Sequence, residues 1–197
     1  MRKLVSVGIL IFGLCLAAAA ADDTPKAEVF GGASFLHVDT MGLNNAGVKS
    51  NYAGWDAEFQ YNINKLLGVT ADIGGNYGRL MPNIPNSHTY TYTFGPTFSL
   101  RTEHARIFAH TLFGGNNANV VVASGPGNSA SENAFAMVWG GGIDVKLNDR
   151  FAIRLGQLDW VYTRHDLSNF VVSGFQLKDH QNNIRYAGGI TINFGRH

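Results

Sequence analysis

The chain has 197 residues, of which only 15% are charged while 45% are hydrophobic and 12% aromatic. A mean hydropathy of −0.03 indicates that apolar and polar side chains are interleaved rather than gathered into long runs. The formal charge of +1 lacks the basic footprint of a nucleic-acid-binding protein, and the single cysteine excludes a disulfide scaffold. The 24 glycines and the scarcity of charge exclude a helical coiled coil.

The first segment has the pattern of an export signal. Arg2 and Lys3 precede an apolar stretch, and this stretch ends in an alanine run just before Asp22. We predict that residues 1–21 are a cleaved signal peptide and that residues 22–197 form the mature domain. An uncleaved membrane anchor is the alternative interpretation of the same stretch.

From residue 27 onward the dominant hydrophobic period is two. The clearest run extends from Thr89 to Leu100, where aromatic and aliphatic residues alternate with threonine, glycine and serine. Successive side chains of a strand point to opposite sides, so this alternation predicts strands with one apolar and one polar face. Eight such segments are predicted, at about 27–37, 51–62, 66–78, 88–101, 105–115, 134–147, 150–162 and 182–194.

Strand length and the connections between strands indicate how these faces are used. Most segments exceed the ~5–6 residues of a strand in a globular protein and match the ~9–11 residues of a tilted membrane strand. Tight turns are predicted near residues 62–65, 102–104 and 148–149, and longer loops at 38–50, 79–87, 116–133 and 163–181. Short turns at one end and long loops at the other are typical of outer-membrane barrels.

The predicted fold class is therefore all-β: an eight-stranded, antiparallel, up-and-down transmembrane β-barrel. Both termini are expected on the short-turn, periplasmic side because the strand number is even. A soluble sandwich, whose apolar faces would meet one another, is the alternative that alternation alone does not separate. Aromatic residues on the apolar faces are expected to form girdles at the membrane interfaces: Trp55, Tyr61, Tyr77, Trp139, Trp160, Tyr162, Tyr186 and Phe194.

Three short stretches resemble the small eight-stranded outer-membrane barrels, of which the OmpA membrane domain is the best-known member, and more narrowly the porin-like outer membrane protein beta-barrel domain. They are Val29–Ser34 in the first strand, Gly141–Lys146 in the sixth and Arg185–Phe194 at the end. The resemblance implies placement in the outer membrane of a Gram-negative envelope. It also implies recognition by the barrel-assembly machinery through a last strand that ends in an aromatic residue, here Phe194, which Gly195, Arg196 and His197 follow.

The polar faces of the strands should meet in the lumen of the barrel. Eight strands enclose only enough space for their own side chains, and buried charges must be paired. We predict a lumen network of ion pairs formed by Asp56, Glu58, Asp72, Asp144, Arg154 and Arg185. Lys146 is also expected to point inward, as are Arg154 and either Gln157 or Asp159, which requires a bulge in the seventh strand because their parity differs.

The predicted function is structural or interactive: a barrel plugged by ion pairs that anchors in the envelope and displays loops, with no enzyme activity and no cofactor. Expected partners are outer-membrane lipid, lipopolysaccharide and the assembly machinery, with no nucleic acid, and the barrel is expected to be a monomer. One alternative is an enzyme acting on lipid, as lipid A deacylases do, through a histidine at the loop rim. However, two residues separate His165 from Ser168, which would place them on opposite faces of a strand. A narrow channel for small solutes is the other alternative.

Overall fold

The computed structural model describes residues 24–43, 46–78, 87–121, 129–164 and 180–195. Their backbone forms eight antiparallel strands in chain order, closed into a barrel by pairing of the first strand with the last. The predicted fold class is confirmed. The strands are β1 (Ala27–Leu43), β2 (Ala46–Asn62), β3 (Leu67–Gly78), β4 (Ser87–Arg101), β5 (Ala105–Val121), β6 (Ser129–Lys146), β7 (Phe151–Arg164) and β8 (His180–Phe194). None of the described residues forms a helix long and apolar enough to cross a membrane.

Two of the predicted long loops are largely strand. The segment predicted as a loop at 38–50 is paired as the outer part of the β1–β2 hairpin, and only residues 44 and 45 separate the two strands. The loop predicted at 116–133 is likewise shortened by pairing that continues to Val121 and Ser129. The prediction was wrong because it followed the end of the clear apolar–polar alternation and the abundance of asparagine, glycine and serine. In a polar segment such as 116–119 the backbone hydrogen-bond ladder continues without that alternation.

Two of the three short turns are fixed by the side chain of an asparagine. The Asn64 Oδ1 atom accepts hydrogen bonds from the amides of Leu66 and Leu67 at 2.9 and 2.8 Å. Asn148 does the same for the two residues that follow Asp149, both at 2.9 Å. Asparagine side chains of this kind replace a backbone turn bond and fix the chain reversal. The start of β1 and the end of β8 lie at the same end of the barrel, where Ala27 pairs with Phe194.

The outward face of the barrel is apolar on every strand. Large hydrophobic side chains that would be buried in a soluble protein are exposed here, with Phe94 66% and Phe98 62% accessible. A continuous apolar wall of this kind requires lipid around it, because isolated soluble domains rarely expose such patches. Other members of this wall are Val29, Phe35, Phe59, Val69, Ile73, Ile107, Phe113, Phe135, Trp139, Ile143, Leu158, Trp160, Ile184 and Ile190.

Strand β7 contains the predicted bulge. Its register against β8 shifts between Arg154 and Gln157, and the β6–β7 register shifts between Ile143 and Asp144. One extra residue on a strand reverses which side chains face inward beyond it. Arg154 and Gln157 are therefore both buried in the lumen although three positions separate them.

Candidate functional site

The candidate site is the lumen, and the strand pleat explains which residues line it. In β2 the side chains of Asp56, Glu58 and Gln60 point inward and alternate with outward-facing residues that include Trp55, Phe59 and Tyr61. The same alternation turns threonines inward along β4. The six residues predicted for the ion-pair network are between 0 and 6% exposed: Asp56, Glu58, Asp72, Asp144, Arg154 and Arg185.

Arg185 on β8 is the centre of the first cluster. Its Nη1 atom donates to Asp56 Oδ1 at 2.9 Å, and its Nη2 atom donates to Asp72 Oδ2 at 2.6 Å. Both Nε and Nη2 reach Asp159 Oδ2, at 3.0 and 2.8 Å. One guanidinium thus joins carboxylates from β2, β3 and β7, on opposite sides of the lumen. Asp159 also bonds the Nε2 atom of His110 on β5 through its other oxygen, at 2.9 Å.

Arg154 on β7 forms the second cluster. It donates to Glu58 Oε2 at 2.6 Å and, through Nε, to Asp144 Oδ1 at 2.8 Å. Its guanidinium lies over the rings of Phe30 and Phe108, with distances of 3.8 and 4.4 Å to the ring centroids. Aromatic faces attract a cation, so the rings add to the stabilisation that the carboxylates supply.

Gln157 connects the two clusters. Its amide Nε2 donates to Glu58 Oε1 at 2.7 Å and to Asp159 Oδ2 at 2.8 Å, and its Oε1 accepts from Arg154. The bulge in β7 is what brings Gln157 to the lumen beside Arg154. The ion pairs are therefore one hydrogen-bonded network rather than separate contacts.

A third cluster lies toward the short-turn end and was not predicted from the sequence. Glu28 on β1 pairs with both Arg101 and Arg106. Arg106 also donates to Asp144 Oδ2 at 3.0 Å, which joins this cluster to that of Arg154. Asn62 donates to Glu28 Oε1 at 2.7 Å. Every carboxylate oxygen of Glu28 is thus matched to a donor, as a buried charge requires.

Three of the buried carboxylates have the proximity of metal ligands. Asp56, Glu58 and Asp72 each offer an oxygen atom within 4.8 Å of the others. Arg185 and Arg154 already donate to these carboxylates and supply positive charge between them. The arrangement is therefore that of an ion-pair cluster in which guanidinium groups occupy the position of a cation.

Toward the long connections the lumen also holds an apolar cluster, which lies beside buried polar side chains such as Asn76, Thr89 and Asn116. Buried aliphatic and aromatic side chains from β1, β2, β5, β6 and β7 form one cluster there: Leu36, Val38, Tyr52, Leu112, Val138 and Val161. On β5 and β6, Leu112 and Val138 lie on the long-connection side of the lumen residues His110 and Asp144. The apolar cluster and the polar side chains beside it together occupy this part of the lumen.

Comparisons with known proteins now settle the family. A family model described as the outer membrane protein beta-barrel domain matches residues 7–197. The chain belongs to this family. The family places the protein in the outer membrane, whereas cleavage of residues 1–21, which lie outside the described part of the chain, stays a prediction.

Solved structures of other outer-membrane proteins show the same fold at low sequence identity. Ail, the attachment invasion locus protein of Yersinia pestis, is 17% identical over 86% of this chain and 99% of its own, with a TM-score of 0.57. Neisserial surface protein A is 13% identical over 86% and 97%, with a TM-score of 0.59. OprG of Pseudomonas aeruginosa is 11% identical over 89% and 98%, with a TM-score of 0.52. A comparison with curated protein sequences finds no match.

These structural neighbours are named as an attachment and invasion protein, a surface protein and an outer membrane protein, and not as enzymes. The segment of this chain considered for lipid hydrolysis, with His165 and Ser168, lies outside the described residues. Among the described rim histidines, His37 bonds Asn51 Oδ1 at 2.7 Å and His180 stacks on the Tyr162 ring at 6.1 Å.

The remaining lumen positions differ in how well the sequence signals them. Lys146, expected to point inward, is half-exposed near the short-turn end. His110 lies within the predicted strand at 105–115 but is not among the residues predicted for the lumen network, and it is 2% exposed. Strand parity alone does not identify Glu28 and Arg106, because each lies two residues from a phenylalanine on the same inward face. Those inward phenylalanines remove the contrast between a polar and an apolar face.

Proposed function

We propose that this protein is a closed outer-membrane barrel with a structural or interaction role, anchored in the envelope and displaying its long connections outside the cell. The observation that supports this most is the filled lumen: a continuous ion-pair network toward the short turns and an apolar cluster toward the long connections. Eight strands leave little room beyond their own side chains. Phe194, half-exposed at the end of the last strand, suits recognition by the assembly machinery.

The closed lumen has a direct electrical test. The folded barrel, inserted in a planar lipid bilayer, is expected to give no discrete conductance steps, because desolvated ion pairs and apolar side chains fill its cross-section. Steps that change in size when Arg185 is replaced by Gln would contradict the proposal. They would favour the narrow-channel alternative, since Arg185 joins the walls of the lumen.

Display of the long connections is tested by the side of the membrane on which they lie. An epitope inserted within residues 122–128, between β5 and β6, is expected to be labelled by antibody on intact cells. The matched control carries the same epitope within 147–150, the turn between β6 and β7, and is expected to be labelled only after the cells are opened. The reverse pattern would contradict the assigned orientation, and equal labelling of both insertions in intact cells would contradict a spanning barrel.

A further inference from the structure

An aromatic and amide patch lies on the outer wall, apart from the lumen. Tyr77 on β3 and Tyr90 on β4 join their hydroxyl groups at 3.0 Å, with their rings edge to face at 6.0 Å and 86°. The His88 ring lies 5.4 Å from that of Tyr90. On the neighbouring hairpin, Asn117 Nδ2 donates to Asn133 Oδ1 at 2.9 Å. We call these five residues the rim patch.

Strand pairing makes the rim patch continuous over four strands. Tyr77 lies opposite His88 in the β3–β4 ladder, Tyr90 lies opposite Asn117 in the β4–β5 ladder, and Asn117 lies opposite Asn133 in the β5–β6 ladder. All five side chains share the outward face, because each is separated from its apolar outward neighbour by an even number of positions.

The rim patch begins where the apolar wall ends. On β5 and β6 the outward face changes from Phe113 and Phe135 to the amides of Asn117 and Asn133 within four residues, on the side of the long connections. On β3 and β4 the outward face at the same level carries the rings of the rim patch, which follow Ile73 and Tyr92. Lipids that cover the wall must therefore place their head groups against the rim patch.

Glycine shapes the base of the patch. A Cβ atom at Gly75 would lie 2.9 Å from the Trp55 indole nitrogen and 3.0 Å from a ring carbon of Tyr90. The absence of that atom lets both rings lie against the β3 backbone. Trp55 also hydrogen-bonds Tyr77. Since an indole N–H can only donate, Tyr77 is its acceptor, and the chain of bonds continues to Tyr90.

These groups suit a sugar better than a simple head group. Aromatic faces pack against the C–H faces of a saccharide ring, while amide, imidazole and hydroxyl groups exchange hydrogen bonds with its hydroxyls. The five residues carry no fixed charge that would select a phosphate on its own. The sugars that lie at this height in an outer leaflet are those of lipopolysaccharide.

We propose that the rim patch is a binding site for the saccharide head group of lipopolysaccharide, so that the barrel holds a glycolipid on one side of its wall. This inference rests on the membrane placement that the proposed function also uses, and it is independent of whether the lumen conducts.

The experiment uses residues 22–197 refolded from urea into detergent micelles and titrated with lipopolysaccharide or with phosphatidylglycerol. The readout is the temperature at which the folded band converts to the unfolded band on a gel, since a ligand that binds only the folded state stabilises it. Lipopolysaccharide is expected to raise this temperature and phosphatidylglycerol to leave it nearly unchanged. Equal responses to the two lipids would overturn the proposal.

Variants separate the rim patch from the rest of the wall. His88→Ala combined with Tyr90→Ala is expected to weaken the apparent affinity for lipopolysaccharide roughly tenfold, by loss of two ring contacts. Phe98→Ala, which removes an exposed ring at the other end of the same strand, is the matched control and should respond like the parent. A second double variant, Tyr77→Phe with Tyr90→Phe, keeps both rings and removes both hydroxyl groups. It replaces the double alanine variant in the titration if the latter does not refold. An unchanged affinity in the rim variants, or an equal loss in Phe98→Ala, would overturn the proposal.

Discussion

Replacing Arg185 with Met is expected to destabilise the barrel by at least about 3–5 kcal/mol, the usual effect of removing one partner from a buried ion pair. The variant leaves Asp56 and Asp72 without the guanidinium that bonds both. Asp159 loses the same guanidinium and keeps only Gln157 and His110 as partners. Lost attraction is the smaller part of the effect. The larger part is the desolvation of carboxylates that remain charged in the lumen.

The measurement is urea unfolding of the barrel in lipid vesicles, followed by tryptophan fluorescence. Arg164→Met is the matched control, because Arg164 lies on β7 and its side chain is exposed. We expect that control to change the free energy of unfolding by no more than ~0.5 kcal/mol. A loss for Arg185→Met no larger than that of the control would show that the lumen carboxylates do not depend on Arg185.

Arg154→Met is expected to cost about 3–5 kcal/mol as well, and much of that loss should be recoverable. Asp144 keeps Arg106 when Arg154 is lost, whereas Glu58 keeps only the amide of Gln157. Adding Glu58→Gln removes the charge that was left unpaired. The double variant should therefore be more stable than the sum of the two single effects implies, by about 0.5–3 kcal/mol.

This second experiment is a double-mutant cycle on the same urea curves. The control cycle combines Arg154→Met with Glu103→Gln, an exposed position in the turn between β4 and β5. Its coupling energy is expected to be within about 0.5 kcal/mol of zero. An Arg154–Glu58 coupling no larger than that would mean that Arg154 contributes through the contacts of its guanidinium with the Phe30 and Phe108 rings rather than through its ion pair with Glu58.

The sequence predicted the barrel because the property that defines it is local. Alternation along β2 and β4 separates a lipid face from a lumen face within a few residues, and the even strand count places the termini together. The ends of β1, β2, β5 and β6 were not predictable in the same way. There the backbone pairing continues through polar segments such as 116–119, and nothing in the residue types marks the end of a hairpin.

The same local alternation predicts which charged residues face the lumen, but it does not predict how they pair. Charged residues that alternate with apolar neighbours, such as Asp56 and Asp72, are assigned to the inside by parity alone. Which arginine meets which carboxylate depends on the stagger of strands around the barrel. Arg185 and Asp56 are 129 positions apart in sequence. The strands that carry Glu28 and Arg106 also turn phenylalanine rings inward, where they cover the guanidinium of Arg154 and remove the contrast that parity needs.

The bulge in β7 affects hydrogen bonding on the lipid-facing surface of the barrel. Where the ladder to β8 is interrupted, the carbonyl of Leu155 has no backbone partner in that ladder, and hydrocarbon offers it no hydrogen. The hydroxyl of Tyr186, on the adjacent strand, donates to that oxygen at 2.9 Å. Tyr186, one of the aromatic residues predicted for the membrane interface, thus supplies a hydrogen bond to a backbone carbonyl at the bulge. The bulge in this lipid-facing strand is accompanied by a hydrogen-bond donor on the neighbouring strand.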